Sequence, residues 1–472
     1  MTSRRFQRSM KIFGVLLLTL SSVTPASSVF VIIPGVIQQA GSGVILSLLA
    51  AGLVSLCMAF VYAELASAWP LAGGEYAMAG QALGPFAGYV LLGVNAAAYT
   101  LVPPVLALGA ATYLSVIWPH APAIPVAVGM IVLSTFSGIL NIRVNAWVTG
   151  IFLAVEVIAL LVVAALGFAH PVRPLADVLI HPLRAVAGAG LSATPAIAIA
   201  VSTTVAIFAF NGYGAAVYFS EEMQEAPQRI ARTILLALAV TLALEFAPTL
   251  AIVLGAPDLL ATVRSENPFG DFVQAVGGRG LAVAVSLGVA FAIVNAVIAS
   301  LLINARILFA SGRDGAWNRL VNEVFTRLHL KYDSPWAAML VTGAAGVACC
   351  FIPLHVLLVL NGMGVVVTYV SLCVAVIIGR LGGASRHAAY RMPLFPLAPI
   401  VGLLALAGVV GASWLDTDVG RPSLLVTLAV MVLFAGYYLW RRRRSGFAWS
   451  LSGPEESPPL TNGARNLEAA SS

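Results

Sequence analysis

The 472-residue sequence predicts an all-α integral membrane protein with about 12 transmembrane helices. Three observations carry that prediction. Hydrophobic residues make up 60% of the chain and charged residues only 9%, against about a quarter charged in a soluble domain. Apolar runs recur at the length of about 20 residues that a helix needs to cross the hydrocarbon layer. Of the 25 Lys and Arg residues, 20 fall at the termini and on alternate connections, which is the positive-inside pattern.

The runs lie at 12–40, 44–67, 82–117, 122–140, 147–169, 196–219, 231–254, 281–309, 336–353, 355–379, 396–415 and 422–440. Only Pro353 and His355 divide the ninth from the tenth, so the count is ten to twelve. The first run follows MTSRRFQRSMK and starts like a secretory signal, but it continues through VFVIIPGVI. That is too long for a signal peptide's apolar core, so a retained helix is expected. With odd spans running outward, both termini are cytoplasmic. Arg173, Arg184, Arg264, Arg279 and Arg421 then face the other side with Asp258, Glu266, Asp271, Asp416 and Asp418.

This topology accounts for the net charge of +6 without a nucleic-acid partner. The run RRRR at 441–444 follows the last span, where it anchors the helix against anionic lipid. Cys57, Cys349, Cys350 and Cys373 fall inside spans and read as small apolar packers. His120, His170, His181, His329, His355 and His387 are scattered, so neither a metal site nor any cofactor is expected. A Gly-rich phosphate loop is missing, which disfavours an ATP-driven pump. The longest segments outside the spans are 170–195, 255–280, 310–335 and the tail after 444, too short for a catalytic domain; an enzyme is not expected. Segment 69–85 is expected to form a short helix along the membrane surface, and 311–335 a basic amphipathic connection. The Pro/Ser/Glu-rich tail is expected to be disordered.

Two runs are interrupted at mid-span. In AIFAFNGYGAAVYFSEE, Asn211, Gly212 and Gly214 weaken the helix where lipid would leave backbone groups unpaired. In LSSVTPASSVFVIIPG, Pro25 removes a helical hydrogen bond amid Ser21, Ser22, Thr24, Ser27 and Ser28. A broken helix offers amide donors at one half-end and carbonyl acceptors at the other, a pair that suits a zwitterion. Interruptions in the first and sixth runs imply inverted repeats. The expected organisation is a cytoplasmic N-terminus (1–11), a first five-helix repeat (12–169), a second, inverted one (196–380), helices 11 and 12 (396–440), and a basic anchor with its tail (441–472).

Three stretches carry a family resemblance. AELASAWPLAGGEYAMAGQALGPFAGY (63–89), FNGYGAAVYFSEEMQEAPQRIARTI (210–234) and NARILFASGRDGAWN (304–318) followed by SPW resemble, in order and spacing, the amino acid–polyamine–organocation (APC) superfamily, and within it the bacterial amino acid permeases. The resemblance covers roughly residues 10–440. It implies a LeuT-type fold of five plus five inverted helices and two more, in the bacterial cytoplasmic (inner) membrane. It places the substrate between Thr24, Pro25, Ala26, Ser27 and Ser28 on the first span and Phe208, Asn211 and Gly212 on the sixth, with Tyr99 lining the third. Ala26-Ser27-Ser28 stands where many relatives have Gly-Ser-Gly, which alters the carboxylate-binding geometry.

Two carboxylates lie at membrane depth, Glu156 and Glu245, and an ionisable group there is a functional hypothesis by default. Both are candidates for proton coupling. Glu156 aligns where many sodium-independent relatives carry a lysine, so that lysine's role does not transfer. Glu64, Glu221 and Glu222 are expected to cap helices or to pair with Arg229 and Arg232 at an inner gate.

The expected function is a secondary active transporter that moves amino acids by alternating access with protons as the coupling ion. The alternative is a polyamine or other organic-amine transporter or exchanger of the same fold, mildly disfavoured by Gly214 where some relatives have glutamate. A non-transporting amino acid sensor is a minor alternative. The partners are thus a small amino acid or amine, protons and the lipid bilayer; the sequence does not fix the oligomeric state.

Overall fold

A computed structural model describes residues 8–114, 122–140, 142–186, 188, 190–361, 363–444 and 449–451. The first apolar run is three helical pieces in line: α1 (Ile12–Val23), α2 (Pro25–Ser27) continued by a π-helical turn (Ser28–Ile32), and α3 (Ile33–Ala40). The chain turns back at Gly41 (φ 60°), where a Cβ would fall on the Leu183 carbonyl, and rises through α4 (Val44–Ala68). Then come α5 (Glu75–Leu83), α6 (Pro85–Leu114), α7 (Ala123–Ile139), α8 (Ile142–Ala169) and the short α9 (Leu175–Ile180).

A hairpin of β1 (Leu183–Val186) and β2 (Gly190–Ala193) precedes α10 (Ala196–Ala209) and a 3-10 helix (Tyr213–Glu222). The second half holds α11 (Ala226–Gly255), α12 (Leu259–Arg264), α13 (Pro268–Arg313), α14 (Arg319–Phe325) and α15 (Trp336–Cys349). It ends with α16 (Leu354–Asn361), α17 (Gly364–Leu381), α18 (Leu397–Leu415) and α19 (Gly420–Arg442).

Among the described residues, nine segments are long and apolar enough to cross a membrane, and α7 and α15 are shorter apolar helices. The protein is therefore an all-α, multi-pass membrane protein, the hairpin being a small extramembrane addition. α13 forms the core. It is buried almost throughout from Ala292 to Gly312, mostly by apolar side chains, and packs against α1, α6, α7, α8 and α15. α18 and α19 lie at the periphery, with Leu404, Leu415, Val432 and Leu433 exposed as lipid-facing residues are.

Two expectations need correction. The 69–85 segment does form a helix, α5, but Glu75–Gly80 are buried against α6 and α17 rather than lying along a surface. The run 355–379 is two helices, α16 and α17, parted at Asn361–Gly364. The Pro/Ser/Glu-rich stretch expected to be disordered lies outside the described residues; just before it, the Trp449 ring stands against Tyr76 and Tyr89, and its Nε1 donates to the Pro85 carbonyl at 3.1 Å.

Candidate functional site

The first helix breaks at Thr24, whose left-handed backbone (φ 48°, ψ 71°) ends α1. Pro25 then opens α2 with no N–H to leave unpaired. The next amide, Ala26 N–H, donates to Glu156 Oε1 at 2.7 Å, so a carboxylate from α8 caps the second half-helix. Ser21 Oγ ties α1 to the same helix through the Thr149 carbonyl.

The sixth run breaks at Phe210–Gly212. Asn211 N–H returns to the Phe208 carbonyl at 3.2 Å, and Gly212 adopts φ 116° before the 3-10 helix begins. A Cβ on Gly212 would lie 2.9 Å from Val23 Cα, so the breaks meet backbone to backbone. Glycine is required there twice over, for its dihedral angle and for its lack of a side chain. Ser28 Oγ completes the junction by donating to the Ala209 carbonyl at 2.7 Å.

Behind the first break lies a buried polar cluster. Glu156 Oε2, both oxygens of Glu245, the Asn295 amide and Ser27 Oγ have no hydrogen-bond partner among the described residues. Asn295 lies beside Glu156, and Ser28 beside Glu245. Before the second break stands a cage of tyrosines. Tyr369 on α17 donates to Asn211 Oδ1 at 2.6 Å, and the Tyr62 ring from α4 stands edge-on to Tyr213 and Tyr369, with centroids 5.9 and 5.8 Å apart.

The structure thus gathers Thr24, Pro25, Ala26, Ser27, Ser28, Asn211, Gly212, Glu156 and Glu245 around one junction. Phe208 is half-buried a turn before the break. Tyr99 stands one layer away, edge-on to Tyr218 at 5.5 Å.

A family model described as amino acid permease matches residues 10–439. The chain belongs to the amino acid permease family, within the APC superfamily. An uncharacterised transporter of Mycobacterium tuberculosis is 30% identical over 409 residues, 85% of this chain and 86% of the relative. A methylthioribose transporter of Bacillus subtilis is 25% identical over 471 residues, 94% and 95% of the two chains. A branched-chain amino acid permease of the same organism is 23% identical over 464 residues, again 94% and 95%. The relatives are transporters, and the permease reads as one of them.

Near Met10, ion pairs tie the helices of the permease together. Arg306, wholly buried on α13, grips Glu222 in a two-pronged pair (2.9 and 3.1 Å) and donates to the Leu302 carbonyl at 2.9 Å. Arg313 pairs with Glu221 at 2.7 Å, and Glu221 also accepts from the Ala72 N–H. Arg380 pairs with Glu64 at 3.0 Å, and Glu64 accepts from the Met392 N–H. The N-terminal segment joins in: Met10 N–H donates to the Glu222 carbonyl and Gln224 N–H to the Met10 carbonyl, both at 2.9 Å.

The expected partners Arg229 and Arg232 are therefore replaced by Arg306, Arg313 and Arg380; Arg229 pairs instead with Glu225, one helical turn away. Sequence reasoning also missed Asn295, Tyr62, Tyr369 and Glu75. Asn295 had a signal, as an amide in an apolar helix. Glu75 had none, because its neighbours in sequence are those of a surface turn. Among the described residues, no three His, Cys, Asp or Glu are grouped to hold a metal ion.

Proposed function

We propose that the permease moves amino acids across the bacterial cytoplasmic membrane by alternating access, driven by protons. The observation carrying this reading is the junction of two interrupted helices backed by Glu156 and Glu245. Helix ends supply fixed partial charges without a charged side chain: carbonyls at the end of α10 for an ammonium, amides near Ser27 for a carboxylate. Two neighbouring carboxyls enclosed with neutral groups do not both hold charge at modest cost, so one proton shared between them and released in each cycle fits the cluster. The closure by Arg306, Arg313 and Arg380 would be the cytoplasmic gate, both termini lying on that side. Residues 12–169 and 196–380 would be the inverted repeats, in a bundle of 12 passes.

A second reading has support of its own. Ala26 N–H already donates to Glu156, which removes one donor from a substrate carboxylate and favours a cargo without one, such as an organic amine. A relative named for methylthioribose shows that related transporters serve other classes of solute.

Uptake of pooled radiolabelled amino acids and, separately, of amines into proteoliposomes, with and without an inward proton gradient, tests both. Accumulation of amino acids only with the gradient supports the first reading. Transport of amines alone selects the second. Uptake of neither pool overturns transport of these cargoes and favours the sensor.

A further inference from the structure

Glu75 stands apart from the other acids near the terminal end. It opens α5 in the connection between α4 and α6, outside the spans, yet is only 2% exposed. Glu64, Glu221 and Glu222 each have an arginine, whereas Glu75 has no ion pair among the described residues. Its carboxyl is held by neutral donors only. Tyr62 Oη donates to Oε1 at 3.0 Å, and Asn95 Nδ2 to Oε2 at 3.4 Å. Asn95 in turn accepts from Thr368 Oγ1 at 2.9 Å.

The titratable groups facing it are Tyr62 from α4, Tyr99 from α6 and Tyr369 from α17. The charged Arg313, Asp314 and Glu221 gather around the next residue, Tyr76. Burial pushes the Glu75 carboxyl up to about 7, against its own backbone N–H and the Tyr62 hydroxyl, which hold it down.

From Glu75 a packed path leads to the substrate junction. Tyr62, its donor, touches the rings of Tyr213 and Tyr369, and Tyr369 holds Asn211 at the α10 break. Tyr62 cannot shift freely, because Gly214 lies so close that a Cβ there would be 2.5 Å from the Tyr62 ring. An ionised Glu75 accepts hydrogen bonds from the Tyr62 hydroxyl and the Asn95 amide. A protonated one gains a donor and loses acceptor strength, so its bonds to Tyr62 and Asn95 are redistributed.

We propose that Glu75 is a proton-binding site on the terminal side of the junction, and that its protonation, relayed through Tyr62 and Tyr369, sets how tightly the α10 break holds substrate. This rests on the transport reading above, but it places a separate proton-binding group some distance along the chain from Glu156 and Glu245. On gaining the proton the carboxylate forms an O–H bond as one O–H bond of hydronium breaks and leaves water, and the reverse transfer returns it.

Two measurements test it. A carboxyl raised above its ordinary 4.5 stabilises the fold fully below that value, and the contribution is lost as pH rises through about 7. The melting temperature of the detergent-purified permease should therefore fall between pH 6 and 8, and Glu75→Gln should make that fall distinctly smaller. Tyr62→Phe, which keeps the carboxyl but deletes one donor, should move the midpoint up by about one pH unit.

The second measurement is counterflow of pooled labelled amino acids in proteoliposomes at equal pH on both sides. In the wild type it should change several-fold between pH 6 and 8, and in Glu75→Gln most of that change should be lost. Wild-type pH profiles in Glu75→Gln by both measurements would overturn the proposal. No counterflow in the wild type would instead overturn the transport reading and the coupling with it, while the melting profile would still decide whether Glu75 takes up a proton.

Discussion

Arg306→Met should cost the permease about 3–5 kcal/mol of stability, because it strands Glu222 as an uncompensated buried charge. The figure follows from the geometry. The pair is two-pronged at 2.9 and 3.1 Å, the side chains are 2% and 5% exposed, and the guanidinium lies 4.7 Å over the Phe219 ring. Methionine fills much of the arginine volume, so little of the loss comes from a cavity. Removing the acid as well should recover most of it, since a neutral pair of similar volume leaves no orphan charge. Unfolding in mixed micelles followed by circular dichroism, for Arg306→Met, Glu222→Gln and the double variant, gives the cycle. Because the Glu222 carbonyl holds Met10 N–H, amide exchange at Met10 and Gln224 should quicken in the single variants. A loss below about 1 kcal/mol in Arg306→Met, or a double variant as unstable as the two singles added together, would refute the reasoning.

Two further outcomes follow from the junction. Gly212→Ala forces a Cβ at φ 116° to within 2.9 Å of Val23 Cα, so it should cost about 1–3 kcal/mol and cut uptake at least tenfold; Gly35→Ala, with nothing within 4 Å, is the control and should do neither. Glu156→Gln keeps an oxygen for the Ala26 N–H and should preserve the melting temperature while abolishing gradient-driven accumulation and sparing exchange. Glu156→Leu orphans that N–H and should cost about 1–3 kcal/mol, so equal melting of the two variants would show that the cap does not matter.

Much of this architecture was legible because lipid makes helices follow apolar length. The run 44–67 became α4 at Val44–Ala68, and 396–415 became α18 at Leu397–Leu415. The breaks were legible from their breakers, although at the first the residue in the left-handed region is Thr24, next to the Pro25 that marked it. The same signal stands between α16, which ends at Asn361, and α17, which starts at Gly364: the sequence Asn-Gly-Met-Gly at 361–364 resembles the Asn-Gly-Tyr-Gly at 211–214. Side-chain partners were not legible. The Arg306–Glu222 and Arg380–Glu64 pairs join residues 84 and 316 positions apart, and only tertiary packing chooses them over a nearer arginine such as Arg229. Glu75 was hidden for the same reason, since burial of a helix between two others leaves no trace in its own composition.

The cap on α2 has a consequence for what the junction can hold. Of the five residues at the first break, Thr24 N–H returns to the Leu20 carbonyl, Pro25 has none, Ala26 N–H goes to Glu156, and Ser28 N–H goes to the Thr24 carbonyl. The Ser27 hydroxyl, which has no partner among the described residues, can donate to a substrate carboxylate. A carboxylate held there, with Glu156 only one amide away, would feel the charge of that glutamate strongly in so dry a setting. Neutralising Glu156 would lift the repulsion while its Oε1 still accepts from Ala26. Proton and carboxylate would then favour each other's binding through Coulomb's law alone, with no movement of the backbone required. A cargo lacking a carboxylate would feel the opposite sign, its ammonium preferring Glu156 ionised. The direction in which external pH changes the apparent affinity for the cargo therefore separates the two readings of the site: tighter at low pH for an amino acid, tighter at high pH for an amine.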